Sequence, residues 1–126
     1  MTVVVTEFQR AGKGQGGNSW ESERGKNLLF SVLVHPCGVE ASRQFIISMA
    51  VSNAIRRTLA AETAEKVSIK WPNDIYVGDR KICGILIENR LAGSRIKDCI
   101  IGIGINVNQT QFLSDAPNPV SLKMID

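Results

Sequence analysis

Four of the six residues from Gly12 to Gly17 are glycine. Such a run supports neither a stable helix nor a regular strand, because glycine gives up more backbone freedom on ordering than any other residue. It predicts a loop from Gln9 to Trp20, and that loop divides the chain. Before it, Thr2 to Phe8 is rich in β-branched residues and reads as a strand. After it, Asn27 to Val34 is a second apolar strand, stopped by Pro36 and Gly38. A loop this long inside a compact domain is usually either functional or disordered.

The rest of the chain follows from periodicity. Val39 to Ala61 reads as a helix with Ile47, Val51, Ala54, Ile55 and Thr58 on one face. Val67 to Trp71 is a short strand ending at Pro72. Ile75 to Val77, the turn Gly78-Asp79 and Lys81 to Glu88 make a hairpin. Ala92-Gly93-Ser94 turns the chain again into a strand from Ile96 to Val107, and a tail with Pro117 and Pro119 reads as irregular. One long helix on a mainly antiparallel mixed sheet is an α+β architecture. With 126 residues and 44% apolar composition, the chain is one domain with a core of its own.

Charge and cysteine content exclude several functions. A net charge of +3 with both signs dispersed gives no electrostatic footing for nucleic acid. The longest apolar run, Cys99 to Ile105, is far short of a membrane span. Cys83 and Cys99 lie in apolar strands, no C-x-x-C pair occurs with Cys37, and reduced thiols in a cytoplasmic protein are the expectation. His35 is the single histidine and cannot build a histidine metal site alone.

Four segments carry candidate chemistry. The glycine loop lets backbone N–H groups approach an anion, and Lys13 adds a mobile charge. It is neither a Walker loop nor a dinucleotide fingerprint, and a plain surface loop remains open. Lys70-Trp71-Pro72-Asn73-Asp74 is a rigid turn in which Asp74 offers oxygen to Mg²⁺, or is an ordinary Asx turn. Lys81 opens a strand just after a turn, where it can point into a cleft, and Gly84 within that strand suggests a close approach; taken alone, a solvated lysine and a bulge are the more common case. In Gly102-Ile103-Gly104-Ile105-Asn106 one strand face is bare, ready for a flat ligand or a neighbouring element. Asn106 has the donor and acceptor groups that suit an adenine edge.

Together these segments resemble the biotin–protein ligases. That family has a glycine- and arginine-rich loop closing on Trp, then K-W-P-N-D, K-x-x-G-I-L-x-E and G-x-G-I-N-x-N. All four patterns stand here in order, between about Val3 and Leu122. The resemblance implies a class II synthetase-like catalytic core that activates biotin with ATP and Mg²⁺ as biotinyl-5′-AMP. It then transfers biotin to a lysine of a biotin carboxyl carrier domain. Lys81 would be the catalytic residue, holding the biotin carboxylate and the α-phosphate. Gln9, Gly12, Lys13, Gly14 and Gly84 would line the biotin end. Lys13, Trp20, Lys70, Asn73 and Asn106 would serve ATP, and Asp74 the metal.

The pattern also departs from that family. A strand, a Ser-Thr-Asn segment and a helix normally precede Met1, and a small β-domain follows, so residues 1–126 are expected to be a partial catalytic domain. No helix-turn-helix is present, so no DNA-binding role is expected. An incomplete sheet exposes unpaired backbone, and a homodimer or higher self-association is the expectation. Gln15, Gly16, Gly17 and Asn18 stand where relatives carry arginines, which is expected to loosen retention of the adenylate. A lipoate-type ligase and a non-catalytic remnant that binds nucleotide or biotin weakly, or needs another chain, are the alternative readings.

Overall fold

The computed structural model describes residues 1–14, 16–114 and 118–125; Gln15 and Pro117, both singled out from the sequence, lie outside the described residues. Six strands form one sheet: β1 (Thr2–Thr6), β4 (Asn27–Val34), β5 (Val67–Lys70), β6 (Asp74–Val77), β7 (Arg80–Ala92) and β8 (Arg95–Asn106). Their order is β1-β4-β8-β7-β6-β5, with each neighbouring pair antiparallel. The long helix α1 (Phe45–Ala60) packs against β5 and β6. The expected α+β fold is therefore the observed one.

Strand alternation sorts the side chains. In β8, Cys99, Ile101, Ile103 and Ile105 are buried toward the helix-covered core, while Gly102 and Gly104 face the other way. Ile75, Val77, Ile82, Cys83 and Ile85 join the same core, with Ile55 and Leu59 supplied by α1. Full burial of side chains such as Ile75 and Ile82 contributes on the order of 1.5–3 kcal/mol each.

The structure corrects the start of the helix and its buried face. The helix does not begin at Val39. Residues Ala41–Arg43 form a short 3-10 turn, and α1 starts at Phe45. The sheet takes the preceding residues instead: Ile96 N–H donates to the Val39 carbonyl at 3.0 Å, Ala41 N–H donates to Ser94, and Glu40 bridges to Arg95. The buried side of α1 is also rotated from the expected stripe. Ser48, Ser52, Ile55 and Leu59 are buried, Ile47 and Val51 are half-buried, and Ala54 and Thr58 are exposed.

The glycine loop is not wholly irregular. Its ends form a hairpin, β2 (Gly12–Lys13) with β3 (Ser19–Trp20), closed by Gly14 N–H donating to the Asn18 carbonyl at 2.7 Å. A side chain at residue 12 would bring a Cβ within 2.6 Å of the Trp20 carbonyl oxygen, so the glycine there permits the pairing. Residues 118–125 of the tail pack against the sheet. Val120 and Ser121 are fully buried, and Leu122–Ile125 form one helical turn, α2. The apolar residues after Pro119 give the tail something to bury, which the prolines had masked in the sequence.

Candidate functional site

The sheet face opposite α1 carries a cleft of about 380 Å³. Its floor exists because three residues lack side chains. Register places Gly84 beside Gly104 and Leu86 beside Gly102 across β7 and β8. On the β4 side, Leu29 stands next to Gly104 and Ser31 next to Gly102. Val4 and Thr6 of β1 continue the wall. The β2–β3 hairpin forms the roof, contributing Lys13, Gly14 and Trp20.

Trp20 occupies the bare floor. A Cβ placed on Gly84 would come within 3.0 Å of the indole, and one on Gly104 within 2.6 Å. Of the two occupants open to a glycine face, the neighbouring element takes the place here. The indole Nε1 is buried and has no hydrogen-bond partner among the described residues.

Lys81 stands at the end of the cleft. Its Nζ lies 3.2 Å from Asp74 Oδ1, with the two side chains 28% and 33% exposed, and 5.8 Å from the Trp20 ring centroid. A one-residue irregularity between Ile75 and Tyr76 shifts the β6–β7 register there. The tail fixes the Lys81 backbone from the outside: Lys81 N–H donates to the Asn118 carbonyl at 2.8 Å, and Val120 N–H donates to Lys81 at 2.9 Å. The flap and Lys81 thus line one space.

Of the residues expected at the site, Gln9, Lys13, Gly14, Trp20, Asp74, Lys81 and Gly84 line the cleft. Gly12 sits just behind, buried under Trp20. Three others are held elsewhere. Lys70 lies outside the cleft, its Nζ 5.0 Å from the Tyr76 ring centroid. Asn73 is buried, because its Oδ1 accepts a hydrogen bond from Ser48 of α1. Asn106 is buried under the tail, with Nδ2 donating to the Val120 carbonyl at 3.1 Å. Both asparagines brace backbone that flanks the cleft.

Sequence reasoning missed several residues here. Ser31, Thr6, Leu86 and Glu88 line the cleft, and their even spacing along strands beside the glycines was the available signal. Glu21, next to Trp20, was also missed. Its carboxylate accepts hydrogen bonds from Leu113 N–H at 2.8 Å and Ser114 N–H at 3.0 Å, anchoring the base of the hairpin. Partial burial opposes its charge, but the bonds from Ser114 and Leu113 outweigh that and hold its carboxyl below the usual range. No local pattern links residues 92 and 93 positions apart, so this contact was not legible.

A divalent cation at Asp74 can be judged against its donors. Among the described residues no group of three or more His, Cys, Asp or Glu side chains gathers. Asp74 supplies one carboxylate, already engaged by Lys81. That fits Mg²⁺ delivered on phosphate oxygens, which needs one or two carboxylates, and does not fit an all-protein cage.

The chain was compared with known proteins. The sequence model of the Biotin/lipoate A/B protein ligase family matches residues 1–106. A bifunctional ligase/repressor BirA of Bacillus spizizenii is 37% identical over 109 residues, covering 86% of this chain and 33% of that protein. BirA of Escherichia coli is 34% identical over 108 residues, covering 83% and 32%. Among solved structures, biotin protein ligase from Aquifex aeolicus in complex with biotin and ATP matches with a TM-score of 0.78. Its identity is 31%, over 95% of this chain and 49% of that one. The Leishmania major enzyme with biotinyl-5-AMP gives 0.75 and 30%, over 98% and 53%. The chain thus spans about a third of the length of those curated relatives and about half of those solved chains.

Proposed function

This chain belongs to the biotin/lipoate A/B protein ligase family, and on that footing we propose that it carries the core of a biotin–protein ligase. The reaction has two steps. A carboxylate oxygen of biotin attacks the α-phosphorus of ATP, and the bond to pyrophosphate breaks, giving biotinyl-5′-AMP. An acceptor lysine amine then attacks the acyl carbon, the bond to AMP breaks, and biotin ends as an amide on a biotin carboxyl carrier domain. The observation that supports this reading is the shared cleft: Lys81 and the glycine flap meet over a floor of Gly84 and Gly104.

The first step brings two anions together, so the site must supply positive charge and exclude water. Lys81 and Lys13 are the cations lining the cleft. Lys81 holds the biotin carboxylate against the α-phosphate, which requires it to exchange Asp74 for the incoming anion. Asp74 would then be the residue to hold Mg²⁺, which would supply positive charge against the phosphates. Gln9, Gly12, Lys13, Gly14 and Gly84 shape the biotin end. Trp20 leaves the glycine floor and closes over the nucleotide. Lys70 serves the phosphates from the rim, while Asn73 and Asn106 act on the nucleotide side through the backbone they hold. A flap with Lys13 as its core charge retains the adenylate less tightly than an arginine-rich one.

Two further parts of the reading concern partners and place. All five residues of the edge strand β1 are exposed, including Val3, Val4 and Val5, which supports self-association by edge pairing. The free thiols of Cys37, Cys83 and Cys99 suit the cytoplasm.

The deciding experiment is isothermal calorimetry with biotin, lipoate and ATP offered separately, followed by ATP–pyrophosphate exchange. Biotin binding and biotin-dependent exchange are expected, with exchange falling at least about a hundredfold in Lys81→Met. Exchange driven by lipoate, or no biotin binding at all, would defeat the reading.

A further inference from the structure

Helix α1 buries two hydroxyls on its core-facing side, Ser48 at 7% and Ser52 at 2% exposure. They are one turn apart, where an apolar stripe would normally continue. A buried hydroxyl is costly unless it is hydrogen-bonded. Ser52 Oγ has no partner among the described residues. Ser48 differs: its Oγ donates to Asn73 Oδ1 and lies 3.4 Å from the Pro72 carbonyl.

Asn73 is held from a second side, since its backbone carbonyl accepts Ile85 N–H at 3.2 Å. Asn73 is therefore fixed from below by the helix and laterally by β7. The next residue is Asp74, which starts β6 opposite Gly84 and reaches Lys81 at 3.2 Å. A continuous chain of contacts runs from the helix interior to the cleft: Ser48, Asn73, Asp74, Lys81. Placement errors of about 1 Å at a reacting centre are enough to cost on the order of a hundredfold in rate.

We propose that Ser48 is a positioning residue for the Asp74–Lys81 pair, acting through Asn73; its catalytic meaning rests on the adenylate-forming reading of the cleft. Its purpose is to hold the turn before β6 in the one placement that sets Asp74 opposite Lys81. Ser52 shares the helix face and burial but lies outside the chain of contacts.

The test is trace acetylation of the whole chain with acetic anhydride. Modification of each lysine is read by mass spectrometry, with exposed Lys66 and Lys97 as internal references. A lysine held in an ion pair is a poorer nucleophile than a free one. Ser48→Ala is expected to raise Lys81 modification about threefold, the scale of a partly exposed pair. Asp74→Asn is expected to do the same, and the double variant no more than Asp74→Asn alone. Ser48→Thr, which keeps the hydroxyl, restores the original rate, and Ser52→Ala leaves it unchanged. If Ser48→Ala does not fold, Ser48→Cys carries the same expectation with the side-chain volume retained.

An unchanged Lys81 rate in the folded Ser48 variant overturns the proposal. So does a Ser48→Ala effect that persists undiminished in Asp74→Asn. Where the chain forms adenylate, Ser48→Ala lowers kcat about tenfold with a smaller change in KM for biotin. A wild-type chain that forms no adenylate counts against the functional reading alone, because the labelling result stands without it.

Discussion

The indole of Trp20 lies where a side chain on Gly104 would have to be: a Cβ there would meet Trp20 Cε2 at 2.6 Å. The contact joins two features separated by more than eighty residues, the hairpin roof and the bare strand floor. It also makes the flap position depend on one hydrogen atom at residue 104. Gly104→Ala is expected to expel the ring, since a bulky indole held by the β2–β3 pairing cannot yield by a rotamer change alone. In a Trp71→Phe background, which removes the exposed second tryptophan, emission should shift to the red. Urea denaturation should show a loss of about 1–3 kcal/mol. Unchanged emission and stability would mean that Trp20 does not occupy the floor in solution.

Asp98 gives a pH prediction with a definite sign. Desolvation works against its charge, but hydrogen bonds from Arg90 and His35 and their positive charges outweigh it and hold its carboxyl below the usual aspartate range. Arg90 Nε lies 2.7 Å from Oδ2, and His35 Nδ1 lies 2.8 Å from Oδ1. The unfolded chain therefore binds this proton first as the pH falls. The contribution is fully present above the unfolded pKa and disappears as acid titrates the folded group. Asp98→Asn should flatten that acidic limb of the stability profile, measured by urea melts from neutral to acid pH. Parallel profiles for the two proteins would refute the assignment.

The cysteines should separate by accessibility. Cys37 is exposed, whereas Cys83 and Cys99 are buried, and burial pushes both of their thiols upward, Cys83 far above the ordinary range. A thiol held protonated is a poor nucleophile. Treatment of the native chain with iodoacetamide is expected to modify Cys37 alone, and all three cysteines only in denaturant. Rapid native modification of Cys83 would show that β7 opens locally.

Much of the fold was readable because it depends on nearest-neighbour chemistry. β4 was bounded correctly at Asn27–Val34, and the β6–β7 hairpin was found from Gly78-Asp79. Alternation fixes which side chains share a face before any partner is known. The same regularity made the glycine face of β8 visible, and with it part of the cleft. Lys81, Gly84, Lys13 and Trp20, distant in the chain, line one cleft.

Other features depended on partners distant in the chain. Val39 and Glu40 have a helical pattern, yet the end of the β7–β8 hairpin captured them. Ser48 reads as a helix residue of no consequence until Asn73 is set above it, and Glu21 until residues 113 and 114 arrive. The tail looked irregular because proline obscured the apolar residues that pack behind Lys81. By itself, the sequence determined the strands, the one long helix and the glycine flap, all set by local backbone preference and side-chain period, while Lys81 stood out only through the resemblance of its motif. Only the tertiary structure decided which polar groups are satisfied inside the molecule and which face the cleft, because a buried donor takes whatever acceptor folding brings within reach.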